Sequence, residues 1–213
     1  MRWGAFRWSC LVEALAFTGF VGWYIWKLQA EAPWTWQVLL LWLVASFLAR
    51  RDTPKSMGWR ADNLLRAAKR AGWFFASGSL LICIAGLFLG MLQRSPVHLS
   101  DPKRFGGYMA FCLLQQVGLN SFLTNRLLTA FERPLPAALL AGLLFAALHW
   151  PNPVLVPLTL AGGVAMAWLF ATERNILPLT LGQALLGALV WWAFPLAWHH
   201  SMRVGPGFRM FRM

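Results

Sequence analysis

Apolar runs close to the length of a bilayer crossing recur along the whole chain, and no other feature narrows the fold as much. A hydrocarbon core about 30 Å thick needs roughly 20 residues of helix, and each backbone amide inside it must bond within its own segment. The runs lie near residues 9–26, 34–49, 71–92, 106–131, 136–149, 153–172 and 176–198. They predict an all-α, polytopic integral membrane bundle of about seven spans, within a range of six to eight. With 59% hydrophobic and 12% charged residues, a soluble domain is the poorer description. The fifth run is only about 21 Å long at the helical rise, so it is expected to end inside the membrane near His149, at the break "HWPNP". Tryptophans beside run ends, such as Trp23, Trp26, Trp34, Trp36, Trp73, Trp150 and Trp198, fit rings anchored at the interface.

A net charge of +12 would point to nucleic acid in a soluble chain. Here the basic residues sit in short loops between apolar runs, where they report topology, and no nucleic-acid partner is expected. The most basic loop, "ARRDTPKSMGWRADNLLRAAKR" (49–70), is expected to be cytoplasmic together with the N-terminus. The connections at 132–136 and 172–175 then fall on the same side, and the 93–105 loop with Arg94, Lys103 and Arg104 on the other. The latter half of the basic loop opposes Trp59, Leu64, Leu65 and Ala68 to Arg60, Arg66 and Lys69, the pattern of an interfacial amphipathic helix facing lipid. Arg2 and Arg7 ahead of an apolar run look like the start of a signal peptide, but no small-x-small cleavage site follows, and the run is read as a retained first span.

Cys10, Cys83 and Cys112 fall in apolar runs without metal-ligand spacing and read as small buried hydrophobes. No internal repeat or Gly/Ser linker divides the chain, so residues 1–213 are expected to form a single membrane domain.

The stretch "LLQQVGLNSFLTNRLL" (113–128) departs from this apolar background. Gln116, Asn120 and Thr124 follow one another at four-residue spacing on one helix face, with Ser121 and Asn125 on an adjoining stripe and Gln115 beside them. Amides in hydrocarbon need partners on other helices or a wet cavity. Interhelical glue explains any one of them; five or six in twelve residues suggest a cavity. His149 ends the short fifth run, followed by Pro151 and Pro153, and Gln183 is another mid-span amide. Glu13 is the carboxylate inside a predicted span and is expected to lie shallow.

In chain order, "LLQQVGLNSFLTNRLL", "FAALHWPNP" and "LPLTLGQALLGAL" resemble the CAAX protease and bacteriocin-processing (CPBP, or Abi) family of intramembrane proteases. That family carries Glu-Glu-x-x-x-Arg on one helix, Phe-x-x-x-His on the next and a His on a later one. The resemblance covers about residues 105–198 and implies a CPBP-like core there. Phe145 and His149 match the second pattern, and Asn152 extends it. Gln115 and Gln116 stand at the paired glutamates, Asn120 at the arginine and Gln183 at the later histidine. The resemblance makes Gln115, Gln116, Asn120, His149 and Gln183 the catalytic positions, with Phe145, Asn152 and Thr124 lining the cavity. It also implies a bacterial inner-membrane location, membrane lipids as partners and a membrane-anchored peptide or protein as substrate.

The substitutions change what such a site can do. A carboxamide has no pKa near neutrality and cannot act as a general base. Gln in place of His removes a proton carrier and a metal ligand. No cofactor is expected; in the older family reading a zinc ion would sit at His149. Two functions follow: a divergent intramembrane peptidase using His149 with a base from Glu13, His199 or His200, or a catalytically inactive relative that binds a peptide, lipid or partner helix. A third reading, a multi-span protein whose amides only join helices, also stands.

Overall fold

Prolines and left-handed residues mark where the helices start and stop. In the computed structural model the described residues are 2–90 and 101–210, with side chains from residue 4. The first helix, α1 (Arg2–Trp23), runs on through a wide π turn (Tyr24–Leu28) to Glu31. It is followed by α2 (Trp36–Arg50), a single turn α3 (Pro54–Met57) and the long α4 (Leu64–Phe88). Next come α5 (Pro102–Gln116), a π segment (Val117–Thr124) and α6 (Asn125–Phe131), which together form one uninterrupted rod. The remainder is α7 (Pro134–Ala147), α8 (Leu155–Glu173), α9 (Leu177–Ala193), two short turns Leu196–His199 and His200–Met202, and α10 (Gly205–Arg209).

Pro54, Pro102 and Pro134 occupy first-turn positions, where the missing amide proton costs nothing. Asp101 accepts from the amides of Lys103 and Arg104, and Thr53 and Ser56 form a reciprocal cap. Arg51, Glu132 and Arg174 end their helices in the left-handed conformation.

Three segments are long and apolar enough to cross a bilayer, Gly4–Glu31, Leu64–Phe88 and Leu155–Glu173, with Pro134–Ala147 and Leu177–Ala193 as shorter apolar helices. The protein is a helical membrane bundle, and no strand occurs among the described residues. The basic loop does not form a separate surface helix: α4 begins at Leu64, so Arg66, Lys69 and Arg70 ride on the first turns of a spanning helix. Cys10 and Cys112 are buried, whereas Cys83 is half-buried on α4, since its helix packs on one side only. The end of the third run at 92 and most of the 93–105 loop, including Arg94, lie outside the described residues.

Close helix crossings hold the bundle. At the α7–α8 crossing a Cβ on Gly142 would stand 2.6 Å from Val164 N, and one on Gly163 would stand 3.0 Å from Gly142 Cα. Only glycine allows backbones this near, which lets van der Waals contact replace the hydrophobic effect that lipid does not supply. In the α4–α9 pair the Phe75 ring covers Gly182, and Gly86 faces Ala193. Phe17, Phe122, Phe145, Phe170, Leu127 and Leu179 fill the interior between the helices.

The loops at one end of the bundle are stitched together. Gly58 O accepts from Ile176 N, Asn63 Nδ2 donates to Glu173 O, and Asn175 Nδ2 reaches Arg60 O and Asn63 Oδ1, each at 2.8 Å. Arg7 bonds Ala130 O and pairs with Glu132 at that same end. The N-terminus, the basic 50–63 stretch and the connections near 132 and 174 therefore share one face. The opposite end carries the α7–α8 break and residues 194–209.

Candidate functional site

The rod Pro102–Phe131 carries most of the amides, and its geometry explains how they meet. Between Val117 and Thr124 the helix widens to π geometry, so Thr124 Oγ1 bonds Leu119 O five residues back at 2.7 Å. Such widening is frequent at functional sites because it re-aims side chains. Here it keeps Gln116, Asn120 and Thr124 in line facing the bundle interior, where each is 0% exposed.

These side chains form a relay in which each amide donates to the next. The Thr124 hydroxyl shares its one proton between Leu119 O and Asn120 Oδ1, 3.1 Å away, and Asn120 Nδ2 donates to Gln116 Oε1 at 2.5 Å. Gln116 Nε2 donates across to Gln183 Oε1 on α9 at 2.5 Å, and Gln183 Nε2 donates to Gln115 Oε1 at 2.6 Å. Met166 Sδ lies 3.0 Å from Gln116 Nε2 as a weaker acceptor. The relay thus ends on Gln115, whose own Nε2 has no partner among the described residues.

Gln115 stands at the wall between two apolar cavities, of about 380 Å³ and about 360 Å³. The first is bounded by α1, α2 and the rod, through Phe17, Val21, Trp36 and Leu39. The second is bounded by α4, the rod, α8 and α9, through Phe74, Tyr108, Met166 and Leu186. Phe111, Gln115, Phe145, His149 and Val204 line both. Gln183 lines the second.

His149 follows the end of α7 at the break before Pro151. Its Nδ1 is 2.7 Å from Phe145 O, and the Phe145 ring stands edge-on to it, with ring centres 4.7 Å apart. A ring nitrogen bonded to a carbonyl carries the proton, so Nε2 keeps its lone pair as an acceptor. Gln115 and His149 together give the shared wall one neutral donor and one neutral acceptor.

Asn152 and Thr124 are not part of either cavity lining. Asn152, 0% exposed, caps α8 by accepting from Val154 N (3.1 Å) and Leu155 N (3.0 Å). Its Nδ2 donates to His199 O and Arg203 O, both at 2.9 Å. Together with the bond from Gly205 N to Trp150 O (2.9 Å), this ties the C-terminal segment to the α7–α8 break, and Val204 lines both cavities. Arg209 then lies over the Trp26 ring, 5.5 Å from its centre, anchoring the strap to the π turn of α1.

None of the candidate bases lines these cavities. Glu13 hydrogen-bonds Ser46, pairs with Arg50 at 3.0 Å and stands 3.5 Å from Arg126 Nε. Arg126 is 3% exposed and also bonds Asp52 at 2.7 Å. This charged cluster belongs to the other end of the bundle. The sequence reading missed Arg126, although a base in the same apolar context as Glu13 was the available signal. His199 accepts from Met202 N at 3.3 Å, and His200 stacks on Phe208 with centres 4.0 Å apart, both within the strap. Among the described residues no cluster of His, Cys, Asp and Glu could hold a metal ion.

No curated protein and no solved structure matches the chain. A family model described as Type II CAAX prenyl endopeptidase Rce1-like matches residues 105–189, from the first turn of α5 to the last turns of α9. That interval holds the whole amide relay, Phe145 and His149. Over residues 105–189 the chain is similar to the Rce1-like, CPBP-type family.

Proposed function

We propose that the protein is a catalytically inactive CPBP-family member that captures a membrane-anchored, lipid-modified peptide in the paired cavities without hydrolysing it. The observation that carries this reading is the relay of neutral amides, which ends on Gln115. Gln116 and Gln183 spend their hydrogen bonds within the relay, and among the described residues no carboxylate or second imidazole lines the cavities to activate water. Peptide hydrolysis needs a base and a group to hold the developing oxyanion. The donor on Gln115 and the acceptor on His149 are instead suited to the C=O and N–H of a bound peptide group. The two cavities offer apolar room on either side for a lipid chain and an apolar side chain. The CAAX prenyl substrates in the family's description fit that division. The charged face bearing Arg7 and the 50–63 loop is assigned to the cytoplasm, where its cations would lie.

A fluorescent farnesylated peptide tests the proposal with purified protein in detergent. Saturable binding is expected, weakened several-fold by Gln115→Leu and by His149→Leu, with the peptide recovered intact by mass spectrometry. Cleavage product that forms with the native chain and disappears with Gln115→Ala would overturn it. A peptide that binds no better than its unprenylated form would do so as well.

A further inference from the structure

At the head of α4 an open groove of about 440 Å³ is lined by Asp62, Asn63, Leu65, Arg66, Lys69 and Arg70. We infer that it is a binding site for the headgroup of one anionic phospholipid, whose acyl chain lies along the outer face of the same helix.

Charge supplies the first part of the argument. Glu173 of α8, 6% exposed, receives both Arg66 Nε at 2.8 Å and Arg70 Nε at 3.0 Å. One buried carboxylate therefore fixes two guanidiniums a helical turn apart and neutralises only one of them. Their Nη groups remain for an anion in a geometry that suits phosphate oxygens. Lys69 lies between them in sequence and has no acidic partner among the described residues. Arg60 and Asp62 pair with each other at the rim and cancel. The groove thus keeps an excess of positive charge on side chains of which two are preset by the fold.

The helix itself supplies the second part. Arg66, Lys69, Arg70, Trp73, Ser77, Leu80, Leu81, Ile84, Leu87 and Phe88 recur every three or four residues, so they share one face. Trp73 is 81% exposed and Phe88 85%, and a Cβ on Gly72 would meet nothing within 4 Å. Leu64–Phe88 is also one of the segments able to cross a bilayer. Cations at the top of an open apolar face, with an indole just below them, match the vertical order of a phospholipid: phosphate, interface, hydrocarbon. A soluble phosphate ester would use the cations and leave the face below them without a role. A general attraction of basic loops to acidic membranes would need neither the Glu173 clamp nor this register.

Native mass spectrometry of the purified protein with phosphatidylglycerol or phosphatidylcholine tests the site. One phosphatidylglycerol is expected to remain bound under conditions that strip phosphatidylcholine. Lys69→Gln, on the exposed face and without an ion-pair partner among the described residues, should weaken retention about fivefold, the effect of one interfacial cation. Lys103→Gln, at the opposite end of the bundle, should leave retention unchanged. Far-ultraviolet circular dichroism of each variant confirms that the helices persist. Equal retention of the two lipids, or retention unaffected by Lys69→Gln, would overturn the inference. Displacement of the lipid by an equal concentration of glycerol phosphate would overturn the lipid assignment.

Discussion

Replacing Gln116 and Gln183 by leucine, singly and together, measures how much the amide relay holds the bundle. The two side chains meet through one bond, Gln116 Nε2 to Gln183 Oε1 at 2.5 Å, between α5 and α9. Interhelical hydrogen bonds in membrane proteins contribute about 0.6 kcal/mol on average and reach about 1.7 kcal/mol, because an unfolded segment in the membrane also finds partners. This bond should fall in the upper part of that range. Gln116 is wholly buried, and without Gln183 its Nε2 would keep only the weak acceptor Met166 Sδ. Each single variant is therefore expected to lower the unfolding free energy by about 1.5 kcal/mol. The double variant should lose about 2 kcal/mol rather than their total, because the bond the two side chains share is already lost in either single variant. The coupling is about 1 kcal/mol, readable by steric trapping or detergent titration with a helicity probe. Strict additivity, with coupling under about 0.3 kcal/mol, would refute the reasoning and leave the amides independent of one another.

Asn152→Ala removes a helix cap and the donor to the His199 and Arg203 carbonyls at once; a loss of about 3 kcal/mol is expected, while Asn152→Asp should retain the cap and recover part of it in the same unfolding assay. Gly142→Ala drives a methyl into the Val164 backbone, and a cost of about 3 kcal/mol is expected, with α7 and α8 separating as read by the distance between spin labels placed on them. The hydrogen bond from Arg60 holds the Asp62 carboxyl down at about 2, below its ordinary value near 3.9. A depressed carboxyl favours the folded loop above the ordinary value, and that contribution fades as pH falls from about 4 through about 2. Carbon-13 NMR of labelled Asp62 should show a midpoint near 2, moved back toward the ordinary value by Arg60→Gln.

The helical class was legible because hydropathy is a property of whole segments, and a run of apolar residues has few other fates. Features that depend on one residue meeting another far along the chain were less so. The spacing of Gln116, Asn120 and Thr124 marks one face of a helix, but the π widening that keeps them aligned has no local signature in "VGLNSFLT". Asn152 looked like a lining residue because it follows His149; the fold turns it to the α8 cap and the C-terminal strap, which depends on His199 and Arg203 about fifty residues later. Leu64, Leu65 and Ala68 have amphipathic spacing, yet no helix-breaking residue separates them from the apolar run beginning at 71, and the helix continues through. Glu13 and Arg126 are single charges in apolar runs, and only packing of α1 against α6 shows that they belong to one cluster.

The relay also fixes an order of events during synthesis. Thr124, Asn120 and Gln116 can satisfy one another as soon as their rod is helical, but Gln183 lies 67 residues beyond Gln116. At ~5–20 residues per second, α9 emerges about 3–13 s after the rod. For that interval Gln115 and Gln116 lack the cross-helix partner they have in the finished bundle, and hydrocarbon offers them none. Slower synthesis between the rod and α9 lengthens that unpaired interval without altering a single contact in the finished protein.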